Sequence, residues 1–145
     1  MEVQEIMTTN VTTTHPDQVV GELHKLFIKV RYHHLPVVEA EKLIGLVSDR
    51  DISHNLSPYV GTNQQRPEDE KLLQRSVADI MTWPLICVNR TTSIDTASIL
   101  LLENNISCLP IVDEEYSLEG LLTWRDILRF HVYYAGAGEE AAETG

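Results

Sequence analysis

The sequence predicts a mixed α+β or α/β fold built from two pseudo-symmetric β-α-β-β-α repeats. Three motifs occur twice in the same order: Ile-Met-Thr, Leu-Pro-[Val/Ile]-Val and Gly-Leu-[Val/Leu]-[Ser/Thr]-x-Arg-Asp-Ile. The copies occupy residues 3–52 and 77–127, offset by 74 residues before the third motif and by 75 within it. An internal repeat fixes the architecture. A copy of about 50 residues buries too little apolar surface to be stable alone, so we expect the two to pack together.

The elements of the first copy follow from the periodicity of its apolar residues. Val11–Thr14 is rich in β-branched residues and predicts a short strand. Asp17 is then a plausible N-cap of a helix, because apolar residues recur after it with helical spacing. They are Val20, Leu23, Leu26, Phe27 and Val30. Leu35–Val38 and Leu43–Val47 predict a β-hairpin, and a second helix is predicted from Ser48 to about residue 56.

The second copy predicts the same order of elements. They are a strand at Leu85–Val88, a helix with Ile94, Ala97, Leu100 and Leu101 on one face, strands at Leu109–Val112 and Leu118–Leu122, and a helix from Thr123. The predicted division is repeat one at 1–56, a connector at 57–76, repeat two at 77–132 and a flexible acidic tail at 133–145. Glu68–Gln74 predicts one or two helical turns within the connector. We expect the end of the Gly/Ala/Glu-rich tail to be disordered.

Composition and charge narrow the classes of function. The 145 residues carry 11 Lys and Arg against 22 Asp and Glu, a net charge of −11. Because nucleic-acid-binding proteins usually have a basic surface, we do not expect a nucleic-acid partner. The chain lacks both a long apolar stretch and a signal-peptide pattern, which predicts a cytoplasmic protein with no membrane partner. Cys87 and Cys108 lack CxxC spacing and lie in apolar runs, so buried free thiols are expected. The six histidines show no metal-ligand spacing.

One polar cluster is repeated although apolar packing does not require it. Ser48-x-x-Asp51 and Thr123-x-x-Asp126 each lie where a strand is predicted to pass into a helix. Such a pair can cap the helix, since the spacing is that of a capping box with Asp in place of the longer Glu or Gln. The hydroxyl can also contact a sugar or phosphate, and the Asp can accept hydrogen bonds from ribose, as an acidic residue does in dinucleotide-binding folds. One hydroxyl can perform both functions, so both interpretations stay open.

The three motifs, twice in fixed order, resemble a tandem pair of cystathionine-β-synthase-type (CBS) domains, often called a Bateman module. The resemblance covers residues 3–52 and 77–130, which is most of the chain. It implies a regulatory module without an obligatory cofactor, in which adenosine nucleotides (AMP, ADP or ATP) bind in two clefts between paired halves. Tandem pairs of this family commonly form dimers.

The resemblance also implies roles for individual residues. Asp51 and Asp126 would accept hydrogen bonds from ribose. Arg50 and Arg125 add positive charge beside each Asp, and from the residues alone they either pair with an acid, contact phosphate or lie in a dimer contact. Nucleotide-sensing members have a phosphate-contacting His-Arg pair before the Leu-Pro motif. Here those places are held by His33 and His34, and by the uncharged Ser107 and Cys108 in the second copy. We therefore expect the phosphate contact to be strongest near the two histidines and to tighten toward pH 6, where histidine becomes charged.

The base-binding wall of each cleft is implied to follow the Met-Thr of the opposite copy. Thr8, Asn10 and Thr12 would face Asp126, and Thr82, Leu85 and Ile86 would face Asp51. Trp124, directly after Thr123, is either a lid or a core residue.

These observations favour a stand-alone ligand sensor that is not an enzyme. The sequence contains no P-loop, nucleophile elbow or metal cluster. The alternative is a dimerising scaffold whose clefts are empty or hold a different ligand, with an unidentified protein partner. In either case we expect a homodimer, formed through an exposed apolar face that includes Ile52, Ile127 and Leu128.

Overall fold

The computed structural model describes residues 1–30 and 33–135, and there the elements follow the predicted order. The first copy contains α1 (Val20–Val30), β1 (His34–Glu39), β2 (Lys42–Ser48) and α2 (Asp49–His54). The connector contains α3 (Pro67–Leu73). The second copy contains α4 (Ile94–Glu103), β3 (Cys108–Val112), β4 (Leu118–Thr123) and α5 (Trp124–Phe130). Single 3₁₀ turns at Val3–Glu5 and Val77–Asp79 open the copies, and a π-helical turn, His131–Ala135, follows α5. The predicted mixed fold of two pseudo-symmetric repeats is confirmed.

Each copy contributes one antiparallel hairpin, β1 with β2 and β3 with β4. Thr14 forms a parallel bridge to β1, and Val88 forms the same bridge to β3. The strands predicted at 11–14 and 85–88 are therefore limited to single bridging residues. At each bridge the pairing residue donates its backbone N–H to the facing strand, Thr14 to the Pro36 carbonyl at 2.9 Å and Val88 to the Pro110 carbonyl at 3.1 Å.

The chain divides into two compact units. The first-repeat unit is Thr12–Leu85, and the second-repeat unit is Met1–Val11 together with Ile86–Gly145, described as far as residue 135. Each unit thus combines the body of one sequence copy with the leading segment of the other.

Each unit has its own hydrophobic core, and the two cores use mostly equivalent positions. Val77 in the first-repeat unit corresponds to Val3 in the second-repeat unit, and both are fully buried. The first core comprises Val20, Leu23, Phe27, Leu35, Val37, Val47, Ile52, Val77 and Ile80. The second comprises Val3, Val88, Ile94, Ala97, Leu101, Leu109, Ile111, Leu122 and Ile127. The predicted helical stripes and hairpin strands provide most of these residues.

The start of α1 differs from the prediction. Asp17 lies in a turn and α1 begins at Val20, so Asp17 is not its cap. The Val20 N–H instead donates to the backbone carbonyl of Arg75 at 2.8 Å. The equivalent helix α4 has a side-chain cap, because Ser93 Oγ accepts from the Thr96 N–H at 3.0 Å.

The predicted exposed face on the second helix of each copy is wrong for two of its three residues. Ile52 and Ile127 are 2% and 4% exposed. Both lie one turn after the helix start and pack into the core of their own unit. Leu128, one position further along the helix, is 64% exposed.

The connector is an integral part of the first-repeat unit. The backbone carbonyl of Leu73, at the end of α3, lies so close to Gly21 of α1 that an added Cβ would be 3.1 Å from it. Asp69 of α3 is fully buried and accepts hydrogen bonds from the Arg66 N–H at 2.9 Å and from the Arg66 guanidinium. A hydrogen bond from Ser57, followed by those from Arg66, lowers the pKa of Asp69 to about 2.

The two cysteines are free thiols, as predicted, but only Cys108 is buried, and Cys87 is half-buried. Burial raises the pKa of Cys108 to about 12.

Tail residues 136–145, whose end we expected to be disordered, lie outside the described residues. Within residues 1–30 and 33–135, no helix has the length and apolar character needed to cross a bilayer.

Candidate functional site

The repeated polar cluster forms a capping box at the start of both second helices. At α2, the Ser48 N–H donates to Asp51 Oδ2 at 2.8 Å and the Asp51 N–H donates to Ser48 Oγ at 3.0 Å. At α5, the Thr123 N–H donates to Asp126 Oδ2 at 3.0 Å and the Asp126 N–H donates to Thr123 Oγ1 at 3.4 Å. The capping interpretation therefore holds in both copies, with Asp in place of the usual longer acid.

Capping uses only part of each carboxylate. In both copies the cap bonds are made by Oδ2, and Oδ1 accepts no hydrogen bond from any residue that the structure describes. Asp51 is half-buried, whereas Asp126 is 7% exposed. A carboxylate can accept several hydrogen bonds, so capping and ligand binding are compatible at Asp51 and more restricted by access at Asp126.

The Met-Thr segments are held against the strands that lead to these caps. Thr8 exchanges two backbone hydrogen bonds of 2.9 Å with Leu121 of β4, and Thr82 forms the equivalent pair with Leu46 of β2 at 2.8 and 3.2 Å. Each Met-Thr segment therefore pairs with the hairpin of the other sequence copy. Thr8 joins the unit of Asp126, and Thr82 joins the unit of Asp51.

A glycine in each hairpin permits this close approach. A Cβ on Gly45 would lie 2.5 Å from Met81 Sδ, and one on Gly120 would lie 2.8 Å from both Met7 Sδ and the Thr8 carbonyl oxygen. This explains why glycine and methionine recur in the motifs. Their joint repetition in the sequence is the signal that points to this contact.

The remaining residues of the implied walls are divided between the units. Asn10 belongs to the same unit as Asp126, and Leu85 to the same unit as Asp51. Thr12 and Ile86 do not belong to the unit that holds the cluster for which each was predicted.

The two histidines have different environments. His33 is exposed, and its Nδ1 lies 3.1 Å from Asp49 Oδ2. His34 begins β1 and is half-buried. Burial lowers the pKa of His34, and the nearby Asp49 opposes that shift. His34 is consequently less able to become charged toward pH 6 than an ordinary histidine, contrary to the expectation from the sequence.

The equivalent place in the second copy has no charged pair. Trp124 takes the position of Asp49, and its indole N–H donates to the Ile106 carbonyl at 3.1 Å. Trp124 is 41% exposed, so it is not a core residue. Ser107 takes the position of His33, and both positions keep one backbone bond: Asp49 N–H to the His33 carbonyl at 3.1 Å, and Trp124 N–H to the Ser107 carbonyl at 3.3 Å.

The arginines next to the caps are exposed in both copies. Neither Arg50 nor Arg125 forms an ion pair with a residue in 1–30 or 33–135. Asp49 was not singled out from the sequence, although it differs from Trp124 at an otherwise repeated motif. Across the part of the chain that the structure describes, no group of three His, Cys, Asp or Glu residues has the geometry of a metal site.

Comparison with known proteins identifies the repeat. The family model for the CBS domain matches residues 3–58 and 77–133. The chain is 31% identical over 137 residues to an inosine-5'-monophosphate dehydrogenase of Methanocaldococcus jannaschii, covering 94% of this chain and 25% of that protein. Because the chain spans about a quarter of the dehydrogenase, the similarity does not extend to the whole enzyme.

Two similar solved structures contain bound ligands. CBSX2 in complex with AMP has a TM-score of 0.76 and 28% identity, covering 90% of this chain and 96% of that one; CBSX2 is a CBS-pair protein from Arabidopsis thaliana. The CBS domain pair of protein MJ0100, in complex with 5'-methylthioadenosine and S-adenosyl-L-methionine, has a TM-score of 0.72 and 27% identity, covering 90% and 94%.

Proposed function

The chain belongs to the CBS-domain family, and from that premise we propose that it is a cytoplasmic regulatory module that binds an adenosine-containing ligand through Asp51, Asp126 or both. The ligand would bias the protein between two arrangements for which it has different affinities. The candidates are AMP, ADP, ATP and the adenosine-containing thioether and sulfonium ligands of the similar MJ0100 pair. Two free thiols are consistent with a reducing compartment.

The observation that carries this proposal is the uncommitted carboxylate oxygen beside each helix cap. Oδ1 of Asp51 and of Asp126 accepts no bond from a described residue, although Oδ2 is fixed by the cap. The ligands of the two similar structures differ in charge, but all contain adenosine. Adenosine includes ribose hydroxyls, and these can donate hydrogen bonds to a fixed carboxylate oxygen.

The test is calorimetry of the whole chain with adenosine, AMP, ADP and ATP, on the wild type and on Asp51→Ala and Asp126→Ala. A charge-assisted hydrogen bond contributes roughly 1.5–3 kcal/mol, so losing one carboxylate should weaken its own site about tenfold or more. Because each Asp also caps a helix, Ser93→Ala is the matched control. It removes the cap of α4 without altering either polar cluster.

Unchanged binding in the Asp51→Ala/Asp126→Ala double variant would contradict the role of the carboxylates in ribose binding. The same loss of affinity in Ser93→Ala would assign the effect to destabilised helices. No binding of any adenosine ligand by the wild type would favour the scaffold function instead.

A dimerising scaffold is the second candidate, and exposed apolar residues favour it. Leu128 and Val132 lie four positions apart, and they are 64% and 58% exposed. Tyr133 is 69% exposed beside them. An apolar surface of this kind often marks an interface, and a two-fold dimer is its commonest form. Light scattering should give about twice the chain mass, whereas a mass of 16.4 kDa would contradict self-association.

A further inference from the structure

We propose that Asp49 makes the first-repeat site select an adenosine ligand whose 5' substituent is neutral or cationic, in preference to a phosphate. The proposal rests on the proposed function and specifies which ligand class its first-repeat site accepts. It departs from the sequence-based expectation that phosphate binds best near His33 and His34.

His33 and Asp49 are in direct contact. His33 Nδ1 lies 3.1 Å from Asp49 Oδ2, so one of the two ring nitrogens faces a carboxylate and a phosphate beside this ring would lie next to that negative charge. The same Asp49 donates its backbone N–H to the His33 carbonyl at 3.1 Å, which fixes the two residues side by side. Asp49 Oδ1 also accepts from the Arg50 N–H at 2.8 Å, which orients the carboxylate at the helix start.

The cluster also carries negative charge. Asp49 and Asp51 place two carboxylates in the first turn of α2, with the arginine between them exposed. His34 provides little compensating charge, because burial lowers its pKa. A ligand phosphate placed near His33 would therefore meet a negative group, whereas a neutral thioether would not, and a sulfonium would be attracted.

The second-repeat site is a built-in comparison. It keeps the Thr123–Asp126 cap and an arginine at the same place, but Trp124 replaces Asp49. The Trp124 indole N–H is directed to the Ile106 carbonyl, and the equivalent of His33 is the uncharged Ser107. The two sites thus differ by one unit of negative charge at the residue that follows the cap.

The expected magnitude is moderate because Asp49 is about half exposed, with 53% of its side-chain surface accessible. We take a unit charge on the ligand about 6 Å from the Asp49 carboxylate and an effective dielectric constant of about 40–80. The Coulomb interaction between the two charges then changes the affinity roughly three- to tenfold. Salt reduces the interaction of exposed charges, so the preference should become smaller at high ionic strength.

The experiment is an NMR titration of the ¹⁵N-labelled whole chain with adenosine, AMP, 5'-methylthioadenosine and S-adenosyl-L-methionine. The amide signals of Gly45 and Gly120 report the two sites separately in one sample, since these glycines lie on the strands that lead to the caps. The variants are Asp49→Asn, which keeps the size of the side chain, and Glu114→Gln, which removes one charge from an exposed turn of the second-repeat unit.

In Asp49→Asn, we expect the dissociation constant for AMP relative to adenosine to fall about three- to tenfold at the first-repeat site. The ratio at the second-repeat site should stay the same, as should both ratios in Glu114→Gln. In Asp49→Asn, 5'-methylthioadenosine should bind as it does to the wild type, and S-adenosyl-L-methionine should bind more weakly at the first-repeat site. An unchanged ratio there, or an equal change at both sites, would overturn the role of Asp49. A wild type that binds none of the four ligands would overturn the proposed function itself.

Discussion

The close approach of each Met-Thr segment to a glycine predicts that alanine at the two glycines will have unequal effects. At Gly120 a new Cβ would lie 2.8 Å from the Thr8 carbonyl oxygen as well as from Met7 Sδ. At Gly45 the nearest atoms, 2.5, 2.9 and 3.2 Å away, all belong to the Met81 side chain. A flexible side chain can move away, but a backbone carbonyl that takes part in a hydrogen-bonded pair cannot do so without breaking the pair.

Two effects determine the magnitude. Overpacking costs about 1–3 kcal/mol, and replacing glycine by alanine at a compatible backbone stabilises by about 0.4–1 kcal/mol through the unfolded state. We expect Gly120→Ala to lower the free energy of unfolding by about 1–3 kcal/mol. Gly45→Ala should cost less, because rotation of Met81 relieves most of the overlap.

The assay is urea unfolding followed by circular dichroism, on both alanine variants with and without removal of the facing methionine. Gly45→Ala should cost little in the Met81→Ala background, because only the contact with the Cβ of residue 81, at 3.2 Å, remains. Gly120→Ala should still cost about 1–3 kcal/mol in the Met7→Ala background, because the Thr8 carbonyl remains. Equal rescue in the two pairs would refute the distinction between side-chain and backbone contact, and no cost for Gly120→Ala in either background would refute the close approach itself.

Two further predictions concern titratable groups. Hydrogen bonds lower the pKa of Asp69 from 3.8 to about 2, so the ionised carboxylate should stabilise the fold above about pH 4, and this stability should be lost as the pH falls through the folded-state pKa. Asp69→Asn should therefore flatten the acid side of a curve of unfolding free energy against pH, and an unchanged curve would contradict this role of Asp69. Cys108, buried and with its pKa raised to about 12, should react with iodoacetamide far more slowly than the half-buried Cys87, as mass spectrometry of the labelled peptides will show; equal labelling of the native protein would contradict its burial.

Local sequence patterns were sufficient to predict most of the fold. The hairpins are runs of apolar residues around short turns, and the structure places both pairs within about one residue of the predicted limits. The starts of the second helices were predictable because Ser48 and Thr123 are side-chain caps, and a cap is a local signal in the sequence. Where the stabilising partner is distant, the prediction was wrong. The start of α1 is set by the carbonyl of Arg75, far along the chain, so Asp17 was a misleading signal.

The candidate site was predictable in its residues but not in their contacts. The repeat identified the Ser/Thr and Asp of each cluster, and the structure shows that both pairs are also helix caps. The contact of His33 with Asp49 joins residues 16 positions apart, and only the folded hairpin brings them together. The complete burial of Asp69 was also not predictable, because it depends on Ser57 and Arg66 in a connector with no repeat to compare.

The repeated positions and the unrepeated ones carry different information about function. Glycine, methionine and the Ser/Thr–Asp pair recur because each has a structural task in both units, namely close strand approach or helix capping. Their recurrence alone therefore does not show that a ligand binds. The residues that differ, Asp49 against Trp124 and His33 against Ser107, share the same backbone hydrogen bond and so are not needed to form it. Selection for folding leaves these side chains free to vary, and ligand preference is best sought there. Asp49→Asn leaves both bonds of the Ser48–Asp51 cap in place, so it tests recognition while the helix start is retained.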